Sequence, residues 1–341
     1  MKWRRLALAA LLLAAALAAA GAWIWRDMQR NLDAPIAIAR PELFEIAPGS
    51  SVTKIAKTFA ARGWLRHPLY LRIDATRSGL ASRIQAGWYE LRPGDTPRGL
   101  LARFVAGDVK TYAVTFVEGA TVRDLLAQTA ALPGLVHELG DTPPAQLLKA
   151  LGGPDRAAEG WFFPSTYDYR HASSDRELLA RAHRQMVKVL EKHWAARDAD
   201  LPYASPYEAL VTASIVEKET ARAEERRAIA GVFVRRLQRG MRLQTDPSVI
   251  YGLGSAFDGN LRRADLERDT PYNTYLRSGL PPTPICMPGE AAIAAALHPA
   301  PGDALYFVAR GDGSHVFSAT LDAHNAAVHE HQRARKRDTT Q

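Results

Sequence analysis

An uncharged apolar run of 20 residues, Leu6 to Trp25, constrains this chain more than any other feature. As an α-helix rising about 1.5 Å per residue, it is long enough to cross a hydrocarbon layer of about 30 Å. Lys2, Arg4 and Arg5 precede the run, and tryptophans stand near both of its ends. These flanks favour a single membrane span, residues 6–25, with residues 1–5 in the cytoplasm and everything after the span outside it.

A cleavable signal peptide is the alternative interpretation of the same run. Ala18-Ala19-Ala20 or Ala20-Gly21-Ala22 has the small residues that a signal peptidase requires. We favour the anchor, because the run exceeds the usual signal-peptide apolar region of about 7–15 residues. Either interpretation exports the rest of the chain, in which the remaining apolar runs are short and broken by charge.

The net charge of +8 suggests nucleic acid as a partner until the charges are located. Residues 1–26 carry four basic side chains and no acid, and residues 333–341 carry four against one, so residues 27–332 hold a net charge of only +1. The nearly neutral body argues against nucleic acid. The lone cysteine, Cys286, excludes an internal disulfide and a metal site built on several thiolates.

Two α+β domains are predicted after a juxtamembrane stalk at residues 26–41. The first, residues 42–110, places a strand and a Pro-Gly-Ser turn before a helix that Ser51 can cap. This order in PGSSVTKIAKTFAARGWL resembles the glycan-binding LysM pattern. A spacer domain without glycan binding is equally open.

The second predicted domain covers residues 111–330 and is followed by a basic polar tail at residues 331–341. Its apolar periodicity predicts helices at 174–197, 206–222 and 225–239. Strand-like segments are Tyr112–Phe116, Leu305–Ala309 and His315–Ser318, the last two joined by a glycine-rich turn into a hairpin. The fold class is therefore α+β throughout, behind one amino-terminal transmembrane helix.

The helix around residues 208–220 carries two glutamates in different surroundings. Glu219 lies one turn after Ile215 and Val216, so it shares a face with large apolar side chains, whereas Glu217 follows smaller residues. Burial against an apolar face raises the pKa of a carboxyl group and keeps a proton available near neutrality. The alternative is that both glutamates are solvated and paired with neighbouring basic residues.

Several long motifs resemble one known family. They are EGWFFPSTY, ASIVEKET, VFVRRLQRGMRLQTDPSVIYGLG, PYNTYLRSGLPPTPI and the late HPA with LYFVARGDGSHVFSATLDAHN. The chain from the anchor to Asn325 is similar to the endolytic murein transglycosylases, the MltG or YceG-like family.

The resemblance implies a single-pass protein of the bacterial inner membrane with a LysM-like module and a catalytic domain in the periplasm. Its partners would be peptidoglycan glycan strands and possible synthases nearby. Such an enzyme cleaves the β-1,4 bond between N-acetylmuramic acid and N-acetylglucosamine in nascent strands and leaves a 1,6-anhydro ring on the muramic product. No water is added, so the enzyme is a lyase, and its action releases or terminates growing strands.

The resemblance also assigns roles to residues. It places the catalytic glutamate in EKET, where Glu219-Thr220 resembles the Glu-Ser pair of other lytic transglycosylases, and Glu217 is the fallback. The substrate-lining residues that it implies are Gln244, Thr245 and Tyr251, with Tyr272, Asn273 and Thr274 on a facing loop.

Three further candidates for the cleft each have a plainer explanation. Asp246 is the obvious second carboxylate and would make the enzyme a muramidase if it activated water, but Asp246-Pro247 also suits a helix start. Glu118 lies in what can be a simple turn. Trp161 belongs to an aromatic cluster that suits sugar stacking as well as core packing.

Two classes of function therefore remain open, a lytic enzyme and a membrane-anchored scaffold that binds peptidoglycan without cleaving it. Only the enzyme requires an acid in an apolar niche. No metal or other cofactor is predicted, because the histidines lack ligand spacing, and His324, His329 and His331 are expected to be solvated.

Overall fold

The computed structural model describes residues 2–338, with side chains to residue 331. The chain divides into two units, residues 2–112 with 169–172 and residues 113–168 with 173–338. Of the predicted tail, the backbone to residue 338 continues the last helix, and the rest lies outside the described residues.

Unit 1 begins with α1, Lys2–Asp33, a helix long and apolar enough to cross a membrane. It contains the predicted span at residues 6–25 and continues eight residues into the predicted stalk. Its last two turns leave the apolar run and bury Met28 and Leu32 in the core of unit 1. The end of the helix is thereby attached to the module that follows it.

The module pairs β1, Glu42–Ile46, antiparallel with β2, Gly87–Leu91, with Phe44 opposite Tyr89. Helices α2, Val52–Ala61, α3, Pro68–Arg77, and α4, Pro97–Ala106, complete it. Ser51 caps α2 as predicted, because its Oγ accepts a hydrogen bond from the Lys54 N–H. The core of unit 1 includes Phe44, Phe59, Trp64, Tyr89 and Phe104.

Strands β3, Thr111–Thr115, and β4, Thr166–Arg170, form a two-stranded sheet. In unit 2, α5, Val122–Ala130, begins with a capping box between Thr121 and Asp124. The next helices are α6, Pro144–Ala150, and α7, Asp175–Ala195.

The centre of unit 2 is α8, Pro206–Glu219, whose residues 209–216 are all buried. It packs against α7, α9, Arg226–Gln238, and α12, Glu290–Leu297. A helix that is buried on nearly every side fixes the position of whatever its ends carry. The predicted helix 206–222 ends three residues early, because Thr220 adopts an extended conformation with φ −145° and ψ 136°.

The remaining elements complete unit 2. They are α10, Asp246–Leu253, α11, Arg263–Glu267, the hairpin of β5, Tyr306–Ala309, and β6, His315–Ser318, and finally α13, Leu321–Asp338. Gly311 and Gly313 adopt positive φ angles in the hairpin turn, as its glycine-rich sequence predicts. Mixed helices and small sheets confirm the α+β class at this general level.

Candidate active site

A cleft of about 510 Å³ lies beside the carboxyl end of α8. Side chains from α8, α9, α10, the hairpin and α13 surround it. Its lining consists of Glu219, Arg236, Leu243, Gln244, Asp246, Tyr275, Tyr306, Phe307, Val308, Ala309, His315, Leu321, His324 and Asn325. Three of the predicted site residues, Glu219, Gln244 and Asp246, therefore share one cavity.

Glu219 is the last residue of α8, and its carboxyl group enters this cleft. The Thr245 hydroxyl donates a hydrogen bond to Glu219 Oε1. Burial raises the pKa of Glu219 to about 7, which outweighs the lowering by the Thr245 hydroxyl and the Arg236 guanidinium, while the Asp246 charge raises the pKa further. Glu219 is thus an acid that can hold or release a proton near neutral pH.

The loop that presents Thr245 is fixed by backbone hydrogen bonds. Thr245 N–H donates to Thr274 Oγ1 at 3.0 Å, and Gln244 N–H donates to Thr274 O at 3.1 Å. Gln244 adopts a φ of 52°, in a region that non-glycine residues seldom occupy. These constraints hold the Thr245 hydroxyl against the carboxyl group of Glu219.

The buried guanidinium of Arg236 supports the same loop from α9. Its Nη1 donates to the carbonyl oxygens of Leu243 at 2.7 Å and Arg242 at 3.2 Å, and its Nε donates to Leu305 O at 2.6 Å. One side chain therefore connects the loop before α10 with the residue before β5. Arg236 could not be recognised from the sequence, since nothing local distinguishes it from its neighbours Arg235 and Arg239.

Asn273, predicted to bind substrate, is buried and does not line the cleft of Glu219. The side chain is 0% exposed, and its Nδ2 donates to the carbonyl oxygens of Leu266 and Arg268 at 2.9 and 2.8 Å. Its Oδ1 accepts the Tyr275 N–H at 3.0 Å. Asn273 instead holds the loop that brings Tyr275 into the cleft.

Asp246 lies at the mouth of the cleft as an exposed side chain. Its Oδ1 accepts a hydrogen bond of 2.6 Å from the Tyr275 hydroxyl. The helix-start interpretation is correct in part, because α10 begins at Asp246 with Pro247 in its first turn, but the N-cap residue is Thr245. Asp246 is thus the first residue of α10, and its carboxylate forms part of the cleft lining.

Tyr251 and Tyr272, both predicted to bind substrate, lie outside the cleft lining. Their rings are 4.9 Å apart, and the Tyr251 hydroxyl donates to Glu159 Oε2 at 2.9 Å, while the Tyr272 hydroxyl pairs with Thr283 Oγ1 at 2.9 Å. Burial raises the pKa of Glu159 to about 7. Glu159 is thus a second buried acid, which its position in the EGWFFPSTY motif did not reveal.

Glu118 and the fallback Glu217 form a separate acidic pair. Glu217 Oε2 accepts the Gly289 N–H at 2.9 Å, and its Oε1 lies 3.7 Å from Arg226 Nη2. The exposed Glu118 carboxylate lies against Gly289 as well. Neither glutamate lines the cleft of Glu219.

Trp161 also lies away from the cleft, where its ring stacks on Tyr207 at a centroid distance of 5.9 Å and an angle of 7°. The half-buried ring packs against the core of unit 2, which favours the core-packing alternative over the sugar platform. The structure therefore does not bring Trp161 together with Glu219.

The hairpin and α13 form one wall of the cleft, and none of the site residues predicted from the sequence lies in these elements. His324 is half-buried, with its ring stacked on that of Tyr306 at a centroid distance of 5.2 Å. Its Nδ1 is buried with no hydrogen-bond partner among the described residues, so His324 is less solvated than the sequence predicts. His315 Nδ1 lies 2.7 Å from Glu225 Oε2. The motif LYFVARGDGSHVFSATLDAHN was the available signal for this wall.

Comparison with known proteins gives one consistent family. The model of the YceG-like family matches residues 44–330. The chain is 32% identical over 303 residues to an endolytic murein transglycosylase of Bacillus subtilis, covering 83% of this chain and 82% of the relative. An endolytic murein transglycosylase of Streptococcus pneumoniae strain D39 is 30% identical over 322 residues, which cover 84% of this chain and 57% of that protein.

A solved structure agrees with these sequence comparisons. A crystal structure of a yceG-like protein from Listeria monocytogenes superposes with a TM-score of 0.53 at 28% sequence identity. The match covers 84% of this chain and 98% of that one.

Proposed function

The chain belongs to the YceG-like family, and we propose that it is an endolytic peptidoglycan lytic transglycosylase with Glu219 as its catalytic residue. The substrate is the β-1,4 bond between N-acetylmuramic acid and N-acetylglucosamine within glycan strands. One observation carries the proposal: an acid with a pKa of about 7 lies in an open cleft on the end of a buried helix.

The reaction needs one group that first gives and then takes a proton. Protonated Glu219 donates its proton to the glycosidic oxygen as the bond from the muramic anomeric carbon to that oxygen breaks. The substrate's acetamide stabilises the positive charge that develops at the anomeric carbon. The Glu219 carboxylate then accepts the proton of the muramic 6-hydroxyl as its oxygen bonds to the anomeric carbon, which closes the 1,6-anhydro ring and restores the acid.

The second oxygen of Glu219 suits this role. Within the described residues, Oε1 accepts a hydrogen bond from the Thr245 hydroxyl, and Oε2 accepts none. Gln244, Asp246 and Tyr275 present polar groups in the same cleft, and we assign them to holding the acetamide and hydroxyl groups of the sugar. Thr245 positions Glu219 and lowers its proton affinity.

Membrane anchoring by α1 and the domain organisation belong to the same proposal. Residues 6–25 span the inner membrane with residues 1–5 in the cytoplasm, and residues 111–330 act in the periplasm on strands made by nearby synthases. Residues 42–110 form a LysM-like glycan-binding module, a role supported by the packing of α2 on α3 and of Phe59 of α2 on Phe44 of β1. Cleavage near the membrane terminates strand elongation.

Product chemistry tests the proposed reaction. The purified chain is incubated with uncrosslinked glycan strands, and mass spectrometry is used to identify the new ends. We expect 1,6-anhydro-muramic ends inside strands. Reducing ends heavier by one water would show a muramidase in which Asp246 activates water, and binding without any new ends would show a scaffold.

Replacing Thr245 by valine is expected to move the alkaline limb of the pH–activity profile upward. The limb reflects loss of the Glu219 proton, and the Thr245 hydroxyl lowers the pKa of that group, so removing the hydroxyl raises it. A hydrogen bond to a charged group worth about 1.5 kcal/mol corresponds to about one pH unit. The measurement is kcat/KM against pH.

Thr245→Ser is the matched control, because it keeps the hydroxyl and should leave the limb close to pH 7. A limb that stays in place or moves downward in Thr245→Val would contradict the role given to the Thr245 hydroxyl.

A further inference from the structure

The outward face of α3 carries an unusual apolar pair. Leu69 and Ile73 lie one turn apart and are 49% and 41% exposed. Within the described part of unit 1, they are the only large exposed apolar side chains outside α1. The opposite face of α3 buries Leu71 and Ala75 in the core, so the exposed pair points away from the module.

Helix α3 adjoins α1 where the apolar run ends. The Arg77 guanidinium lies 4.3 Å from the ring centroid of Trp25, and the Tyr70 hydroxyl donates to Asp27 Oδ2 at 2.9 Å. Residues 70 and 77 are about 10 Å apart along α3, but their partners on α1 are only two residues apart. Helix α3 therefore crosses α1 steeply at the end of the predicted span.

The fourth helix contacts α1 farther from the apolar run. Arg98 of α4 bonds to Gln29 at 2.5 Å and pairs with Asp33 at 2.9 Å, both beyond the partners of α3. Among the module's helices that contact α1, α3 is thus the one nearer to the span.

Positive charge surrounds the apolar pair. Arg72 and Arg77 are exposed on the two flanks of the apolar pair, and Lys57 of α2 lines a groove together with Leu69 and Arg72. The one acid of α3, Asp74, is buried and lies 3.5 Å from Arg98. Apolar side chains among cations suit the boundary between the acyl chains and the headgroups of an anionic bilayer.

We propose that the face of α3 formed by Leu69, Arg72, Ile73 and Arg77 lies on the outer surface of the membrane that α1 spans. Leu69 and Ile73 enter the boundary of the acyl chains, and the two arginines bind lipid phosphates. The proposal rests on the membrane anchor proposed above. Contact at α3 as well as at α1 fixes the height and the orientation of unit 1 on the bilayer.

Depth measurement on the full chain tests this contact. An environment-sensitive fluorophore is attached to the cysteine of Ile73→Cys. The matched control carries the same fluorophore in Ala102→Cys, at an exposed position of α4. The native Cys286 is buried and is therefore not expected to be labelled. Both proteins are reconstituted in vesicles of phosphatidylethanolamine and phosphatidylglycerol. We expect blue-shifted emission at position 73 that lipid-borne quenchers reduce, and quenching by aqueous iodide at position 102.

The possible outcomes separate this inference from the anchor. If the protein floats with the vesicles but both labels respond only to iodide, the α3 contact is overturned and the anchor stands. If the protein does not float, the anchor fails and the contact fails with it. A blue shift at position 73 without lipid quenching would show a protein partner instead of lipid.

Lipid charge provides a second readout. Replacing phosphatidylglycerol by phosphatidylcholine removes the anionic headgroups, and we expect the lipid quenching at position 73 to decrease. Quenching that is unchanged would overturn the assignment of Arg72 and Arg77 to lipid phosphates.

Discussion

Glu219→Gln is expected to reduce strand cleavage by about 10²–10⁴-fold, the usual contribution of a general acid–base group. The amide has nearly the same shape as the carboxyl group but cannot supply an acidic proton to the glycosidic oxygen. The Thr245 hydroxyl can still donate to the amide oxygen, so the cleft keeps its shape. The measurement is the rate of appearance of 1,6-anhydro ends, with strand binding followed in parallel.

Glu217→Gln is the matched control two residues earlier on the same helix. Glu217 contacts the Gly289 N–H and Arg226 outside the cleft, so its replacement should leave cleavage within about tenfold of the unchanged protein. The reverse order of effects would move the catalytic role to Glu217. A Glu219→Gln protein that cleaves normally would remove the catalytic role from Glu219.

Local features were predictable from the sequence because their causes are local. Ser51 caps its helix as predicted, and Thr121 and Ser174 cap theirs in the same way, since a hydroxyl three residues before a free N–H needs no distant partner. The hairpin at residues 306–318 likewise follows from its glycine turn. These elements establish the α+β class but do not identify the site.

The surroundings of Glu219 were predictable only in part. Its spacing from Ile215 and Val216 suggested an apolar face, and burial is indeed the largest cause of its raised pKa. The groups that adjust this pKa, Thr245 and Arg236, lie on other elements and become neighbours only through the tertiary fold. Sequence spacing on a single helix cannot reveal such partners.

The surroundings of Asn273 and His324 differ from the sequence-based expectation for the same physical reason. Asn273 has the polar side chain expected of a sugar-binding residue, but its amide N–H groups donate to the backbone carbonyl oxygens of Leu266 and Arg268. His324 looks like one of several histidines on a polar helix until Tyr306 covers its ring. Whether a polar group faces substrate or satisfies the fold depends on contacts that no local pattern encodes.

Arg236→Met is expected to be the most destabilising single change in the cleft. Arg236 is only 7% exposed, and its guanidinium donates hydrogen bonds to three backbone carbonyl oxygens, those of Arg242, Leu243 and Leu305. Methionine fills a similar volume but leaves these acceptors without their donor. Each unsatisfied buried group costs about 1–3 kcal/mol, so we expect a total loss of about 3–5 kcal/mol.

Thermal unfolding of the detergent-solubilised chain measures this loss, with the exposed Arg239→Met as the control. At about 2–4 °C per kcal/mol, the Tm of Arg236→Met should fall by about 10 °C, and that of the control should change by no more than about 2 °C.

Arg236→Lys separates charge from geometry, because one ammonium group keeps the positive charge beside Glu219 but cannot reach both the loop and the start of β5. The lysine variant should therefore lose stability, while the alkaline limb of its pH–activity profile stays near that of the unchanged protein. In the methionine variant the limb should also move upward, because the Arg236 charge lowers the pKa of Glu219. A methionine variant as stable as the control would show that the three carbonyl groups find other donors, and that the loop carrying Thr245 does not depend on α9.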